Sequence, residues 1–187
     1  MDKHDTSDAE TTYTQYALNP GQERPYIIAK KYLKKAYVHL TVNNDEYIPN
    51  PKFNNISRIL PYNIKINYLC GFYHKDKRTY ESHKSKSYSE SRSPKGLTRK
   101  LLCELLLDLI KKNIIKNHSI ILLEAEPSVE EKLLEMYKNM GFQIKEYIDK
   151  DKFDGFISDK SIKFGRGAVM TSDVRSVILW CNDKFKL

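Results

Sequence analysis

Two carboxylates and a basic helix start are the residues of this 187-residue chain with chemistry to offer. Glu124 and Glu126 close the apolar run Ile120-Ile121-Leu122-Leu123. Two apart on a strand, they point to one face of a sheet. They also sit at the C-terminal strand end, where sites of α/β proteins gather. Either is a candidate general base, acting directly or through a water; a polar strand end facing solvent is the plainer account. His74 is a second candidate base, with a loop histidine facing solvent as its plainer account. Upstream, Lys95, Gly96, Leu97, Thr98 and Arg99 stand at a turn that opens a helix. Such a start presents backbone N–H groups and the positive end of the helix dipole. It is a natural seat for a phosphate, with Lys95 and Arg99 adding charge and Thr98 a hydroxyl.

The elements that must position these groups read helix, strand, helix over residues 93–142. Leu97, Leu101, Leu102, Leu105, Leu106, Leu109 and Ile110 recur at helical spacing and form one apolar stripe. Ser93 suits the N-cap and Pro94 the first helical position. The run 120–123 is too short for a helix and reads as a buried strand. Pro127 ends it. Ser128 and Glu131 make a capping-box pair for the second helix. Val129, Leu133, Leu134, Met136, Tyr137 and Met140 mark its buried side, and Gly141 closes it in a left-handed cap with Phe142 folding back.

This order, ending in Tyr137-x-x-x-Gly141-Phe142, resembles the core of the GCN5-related N-acetyltransferase (GNAT) superfamily. The likeness covers residues 65–145 and extends to the remainder only by element order. It implies an α/β (α+β) fold, with a mixed central sheet flanked by helices, and transfer of an acetyl group from acetyl-CoA to an amine acceptor. By the same likeness, the turn at Lys95, Gly96, Leu97, Thr98 and Arg99 holds the diphosphate of the cofactor. The strand around Leu69, Cys70, Gly71 and Phe72 lies along the pantetheine, where the central strands splay. Tyr137 donates a proton to the departing thiolate, and Glu124 or Glu126 accepts the amine proton. The family's phosphate loop carries two small residues; here Gly96 is the one glycine, and two registers of the motif remain open. Hence an alternative stays beside the first reading: a catalytically degenerate GNAT-fold binding module for nucleic acid or protein.

The chain carries a formal charge of +8, which suits anionic partners, coenzyme A and nucleic acid among them. Residues 1–21 lack periodicity and read as a flexible tail before one domain over 22–187. Residues 26–36 fit a helix or a strand, and 36–42 alternate as a half-buried strand. Residues 63–74 read as a strand with Ile64, Ile66, Tyr68 and Cys70 in step and Leu69 opposite. Residues 75–92 form a long basic insertion: a disordered loop, a nucleic-acid arm with Tyr80 and Tyr88, or a lid over the cofactor. Residues 157–170 and 174–180 read as two closing strands. Asp149-Lys150-Asp151-Lys152-Phe153 opens like a calcium loop, but Phe153 stands at the fifth ligand position and Lys160 at the twelfth, so no metal is expected. Cys70, Cys103 and Cys181 are far apart and read as reduced core residues of an intracellular protein, cytoplasmic or nuclear. No run is long and apolar enough for a bilayer.

Overall fold

The computed structural model describes residues 4–16, 26–47, 61–70, 96–125, 132–148 and 167–187. In chain order the elements are β1 (Glu10–Tyr16), β2 (Tyr26–Leu33), β3 (Ala36–Tyr47), β4 (Tyr62–Cys70), α1 (Leu97–Lys111), β5 (Ile120–Ala125), α2 (Lys132–Asn139), β6 (Gln143–Ile148), β7 (Gly167–Asp173) and α3 (Val174–Phe185). The strands form one mixed sheet in the order β1-β2-β3-β4-β5-β7-β6. Neighbours run antiparallel except β4 and β5, which are parallel and flank the α1 crossover. Among these residues no helix is long and apolar enough to cross a membrane.

Alternation decides which face of the sheet is covered. In β3, Val38, Leu40 and Val42 are fully buried, while Tyr37, His39 and Thr41 between them are half-buried. The buried set continues through Ala29, Leu33, Ile64, Ile66, Ile121, Leu123 and Ala125 into one core with α1, α2 and α3. This helix-covered side is called here face A, and the opposite side face B. The leucine stripe of α1 is buried against face A as its spacing predicts. Each such side chain contributes on the order of 2 kcal/mol when fully buried.

The end of α2 follows its sequence signal closely. Gly141 takes φ of 102°. Its N–H donates to the Lys138 carbonyl, and the Phe142 N–H to the Tyr137 carbonyl. This is the Schellman pattern, and the Tyr137 ring packs edge-on against Phe142 as that motif favours. A Cβ on Gly141 would lie 2.9 Å from Ser176 Cβ, so α3 leaves room for glycine alone.

Four expectations change. The supposed tail carries β1, which pairs with β2 along its whole length. Residues 26–33 are strand, because Ala29 and Leu33 face the core only with period two across β1 and β3. In β4 the phase flips. Asn67 is an extra residue against β3, between the pairs Leu40–Ile66 and His39–Tyr68. Leu69 therefore joins the core side and Tyr68 turns to face B, 55% exposed. Residues 174–180 are helix, since Asp173 accepts from the Ser176 N–H at 2.7 Å as an N-cap and Val174, Val177 and Cys181 are buried on one side. The start of α1 also differs from expectation: Gly96, with φ of 91°, is the N-cap, and no side chain caps the helix. Ser93, Pro94, Ser128 and the 75–92 insertion lie outside the described residues.

The reading of Cys103 and Cys181 as separate thiols is likewise corrected. α1 and α3 pack side by side on face A and place the two residues 6.0 Å apart at Cα, joined in a disulfide. The bond closes a loop of 78 residues. Chain-entropy reasoning gives such a closure roughly 4 kcal/mol of stability. Reduction, or Cys103→Ala with Cys181→Ala, is expected to lower the urea midpoint accordingly. Identical midpoints with and without reductant would show that the bond carries no stability.

Candidate functional site

The site is set by where the sheet divides. β4 and β5 pair in parallel at Ile64–Ile121, Lys65–Leu122 and Ile66–Leu123. Past that point β4 stays with β3 through Cys70–Tyr37, and β5 stays with β7 through Ala125–Ala168. The two half-sheets part just where Asn67 is inserted. A bulge bends its strand and increases the local twist, which accounts for the parting. Asn67 Nδ2 donates to Thr41 Oγ1 at 2.6 Å and pins the bulge to β3. Asn63 Oδ1 accepts from the Ile120 N–H at 2.8 Å and ties the two strands together at the opposite end.

The groups proposed from sequence distribute around this opening. Leu69 is packed against the core on β4, and Cys70 is the last residue of that strand, opposite Tyr37. Gly96 starts α1. Leu97 points into the core, so its backbone alone is available for binding. Thr98 and Arg99 are half-buried. Arg99 lies 5.2 Å from the centre of the Trp180 ring, a cation–π contact. Burial pushes the Arg99 guanidinium below its usual range, and its electrostatic coupling to Tyr137 opposes that shift. Tyr137 is 8% exposed, within the face A core. Glu124 is on face B, half-buried, with Oε1 3.8 Å from Lys65 Nζ. Thus the structure brings Tyr137 and the α1 start together on one side and leaves Glu124 on the other. A parting between strands opens to both faces, so it is the one feature that relates them. Glu126, Gly71, Phe72, Lys95 and His74 lie outside the described residues.

The N-terminal segment also reaches this place. The His4 ring stands 3.1 Å from where a Cβ on Gly96 would be, and the Arg99 guanidinium 3.7 Å. Lys100 Nζ donates to the His4 carbonyl at 2.6 Å. The Cβ side of the helix start is therefore filled by the chain itself.

Sequence reasoning missed three residues here. Trp180, the one tryptophan of the chain, falls in the stretch that reads as a closing strand and lies instead in the helix capped by Asp173. Asn67 gave no signal, because a bulge depends on the partner strand. His39 was seen only as a polar position. Its two ring nitrogens are shut from solvent and have no hydrogen-bond partner. The ring stacks on Tyr68 at 5.5 Å between centroids.

No protein-family model matches this chain, and neither the curated proteins nor the solved structures compared with it provide a match.

Burial, seconded by Lys30 on β2, lowers the affinity of His39 for a proton; Tyr37 and Tyr68 are its other neighbours. The unfolded chain therefore binds a proton near the ordinary value of 6.5 that the folded chain resists. The resulting stability is complete above that pH and is lost progressively as pH falls below it. His39→Phe is expected to remove this acid-side slope and, by replacing two unpartnered nitrogens, to hold or raise stability at neutral pH. Urea midpoints at about pH 7.5 and about pH 5 check it through the linkage slope; parallel losses in both proteins would exclude His39 as the source.

Proposed function

We propose that this chain is an acyl-CoA-dependent N-acetyltransferase with a GNAT-like fold, transferring an acetyl group from acetyl-CoA to an amine. The observation that carries the reading is the parting of β4 from β5 at Asn67, together with a following helix that starts on a left-handed glycine without a side-chain cap. The order strand, helix, strand, helix, strand, strand from β4 to β7 supports it, as does the single parallel pair at the sheet centre.

The residues suit an elongated diphosphate ligand. Backbone beyond Ile66 on β4 lacks a ladder partner on β5, so it can pair with an extended amide-bearing arm. The α1 start, Gly96, Leu97, Thr98 and Arg99, suits the diphosphate through backbone N–H groups and charge. Seating it on the Cβ side of Gly96 requires His4 to move. The chemistry supplied by the cofactor is an activated acetyl thioester. Glu124 or Glu126 takes a proton from the acceptor ammonium, directly or through water. The freed nitrogen lone pair forms the C–N bond while the C–S bond breaks. By the family resemblance, backbone N–H groups near Cys70, Gly71 and Phe72 would polarise the carbonyl oxygen; Gly71 and Phe72 lie outside the described residues. Tyr137 returns a proton to the sulfur. Lys65 Nζ lies 3.8 Å from Glu124 Oε1 and helps hold the carboxylate in position.

Acetyl-CoA at a hundredfold excess over its dissociation constant is expected to add about 2.7 kcal/mol of stability. A melting curve unchanged by millimolar acetyl-CoA would leave the non-catalytic binding module as the better account. Tyr137→Phe is expected to lower turnover about a hundredfold, the scale of one general acid, with the acetyl-CoA-induced stabilisation kept. Thiol release from acetyl-CoA with a panel of amines measures it, and full turnover in that variant removes Tyr137 from the mechanism.

A further inference from the structure

Face B of the first four strands carries several rings and lysines among threonines, Ile28 and the exposed Glu10. Register places Tyr16 opposite Tyr26, Tyr32 opposite Tyr37, and His39 opposite Tyr68, all on this face. Tyr16 and Tyr26 stack at 4.9 Å with their planes 15° apart. His39 and Tyr68 stack at 5.5 Å and 12°. Tyr37 lies about midway, 6.1 Å from His39 and 6.3 Å from Tyr68. The outer rings are open to solvent: Tyr68 is 55% and Tyr16 44% exposed. Lys30 stands beside His39 in the register, and the β2–β3 turn carries exposed Lys34 and Lys35 next to the Tyr32–Tyr37 pair.

Cross-strand ring pairs stabilise any sheet, yet that role favours rings that shield one another from water. Tyr68 instead keeps more than half of its surface open while its ring lies flat on His39. A flat, exposed ring with amines along its border is the arrangement that takes a nucleobase on its face and the phosphates at its edge. The chain's charge of +8 is of the complementary sign. A cationic partner would meet Lys30, Lys34 and Lys35, and a purely apolar one would leave those amines without a use.

We propose that face B of β1–β4 binds single-stranded nucleic acid, with Tyr68 and Tyr16 as stacking platforms and Lys30, Lys34 and Lys35 as phosphate contacts. The inference uses neither the α1 start nor Tyr137, although Tyr68 lies on the same β4 segment, and on the same face as Glu124, that the acetyltransferase reading employs. Burial keeps His39 uncharged at neutral pH, so it serves as the inner ring on which Tyr68 is held flat.

Fluorescence anisotropy of labelled oligonucleotides of about 20 residues tests it, with single-stranded RNA, single-stranded DNA and duplex DNA as separate arms, since one platform of this kind spans only several nucleotides. Both single strands are expected to bind at about 50 mM salt and to weaken steeply as salt rises, with duplex binding weaker. A preference between RNA and DNA would identify a contact to the 2′-hydroxyl. Tyr68→Ala, at an exposed position that leaves folding intact, is expected to lower affinity roughly 5- to 150-fold, the loss of one base–ring stack. Lys34→Ala with Lys35→Ala is expected to reduce the slope of log affinity against log salt by about 1.4, two phosphates' worth for a single strand. That double variant keeps its melting response to acetyl-CoA, so failure of either reading is seen separately. No anisotropy change with either single strand, unchanged affinity in Tyr68→Ala, or duplex binding as tight as single-strand binding each overturns the proposal.

Discussion

The parallel ladder between β4 and β5 stops at Ile66 and Leu123, and the candidate site follows from that stop. A strand pair that ends early leaves backbone donors and acceptors facing a gap, and such groups cost free energy when they are buried without partners. The cause is local. Asn67 adds one residue to β4, its amide is fixed to Thr41, and the strand bends away from β5 while remaining on β3. Without the insertion, Tyr68 would face the helices and Leu69 the opposite side, because a one-residue slip exchanges the two faces. One residue thus both opens the sheet and turns an aromatic ring onto face B.

For the opening to serve as a site, α1 must hold its start fixed beside it. Three sides of the helix are secured. Its leucines are buried on face A, and Cys103 is bonded to α3. On a further side, Lys100, Glu104, Asp108 and Lys112 follow at four-residue spacing and meet the N-terminal segment in turn. Lys100 donates to the His4 carbonyl, and Thr6 donates to Glu104 at 2.5 Å. Tyr13 donates to Asp108, and Lys112 lies over the Tyr13 ring. Burial and the Asp108 carboxylate both raise the Tyr13 phenol, so it stays a proton donor at any physiological pH. Each of these hydrogen bonds is part-buried, as is the Lys31–Glu104 ion pair to the same helix. Spaced along one helix they align the segment with it from end to end, and that carries His4 to Gly96.

What could be read from the residues divides by range. α1, β5, α2 and the Gly141 stop were legible because each is written within one turn or one run: a leucine stripe, an apolar block, a glycine before phenylalanine. β1 was not. Its seven residues ETTYTQY face outward almost throughout, so no periodicity marks them, and only the pairing with β2 makes them a strand. β2 fits a helix equally well by Ile28, Tyr32, Leu33 and Ala36, until pairing with β3 puts Ala29 and Leu33 on the core side and Ile28 and Tyr32 on the other. α3 was lost to its β-branched and aromatic content, which outweighed a single capping aspartate. The site residues divide in the same way. Tyr137 stands on the buried side of α2 where its local signal put it, whereas Gly96 is the N-cap in place of Ser93 and the position of Glu124 relative to Tyr137 depends on which face each takes, a property of the assembled sheet.

The feature of the sequence with the strongest likeness to an acetyltransferase, Tyr137 four residues before Gly141 and Phe142, has a second meaning once folded. Tyr137 is the residue whose carbonyl receives the Phe142 N–H, and its ring packs on Phe142. Those two contacts are what any helix ending in this motif needs, with or without catalysis. Chemistry therefore has to be argued from what lies beyond them. Arg99, at the start of α1, is coupled electrostatically to the Tyr137 phenol and stacked under Trp180 of α3. A guanidinium partly withdrawn from water over a ring loses hydration that an anion can replace. The same cation thus stands at the helix start and is coupled to the phenol. A ligand long enough to lie from Gly96 into the strand opening would meet the charge at one end and the hydroxyl further along. The helix stop orients the tyrosine, and Arg99 is the charged group coupled to it; a chemical use for the pair is what the proposed function adds.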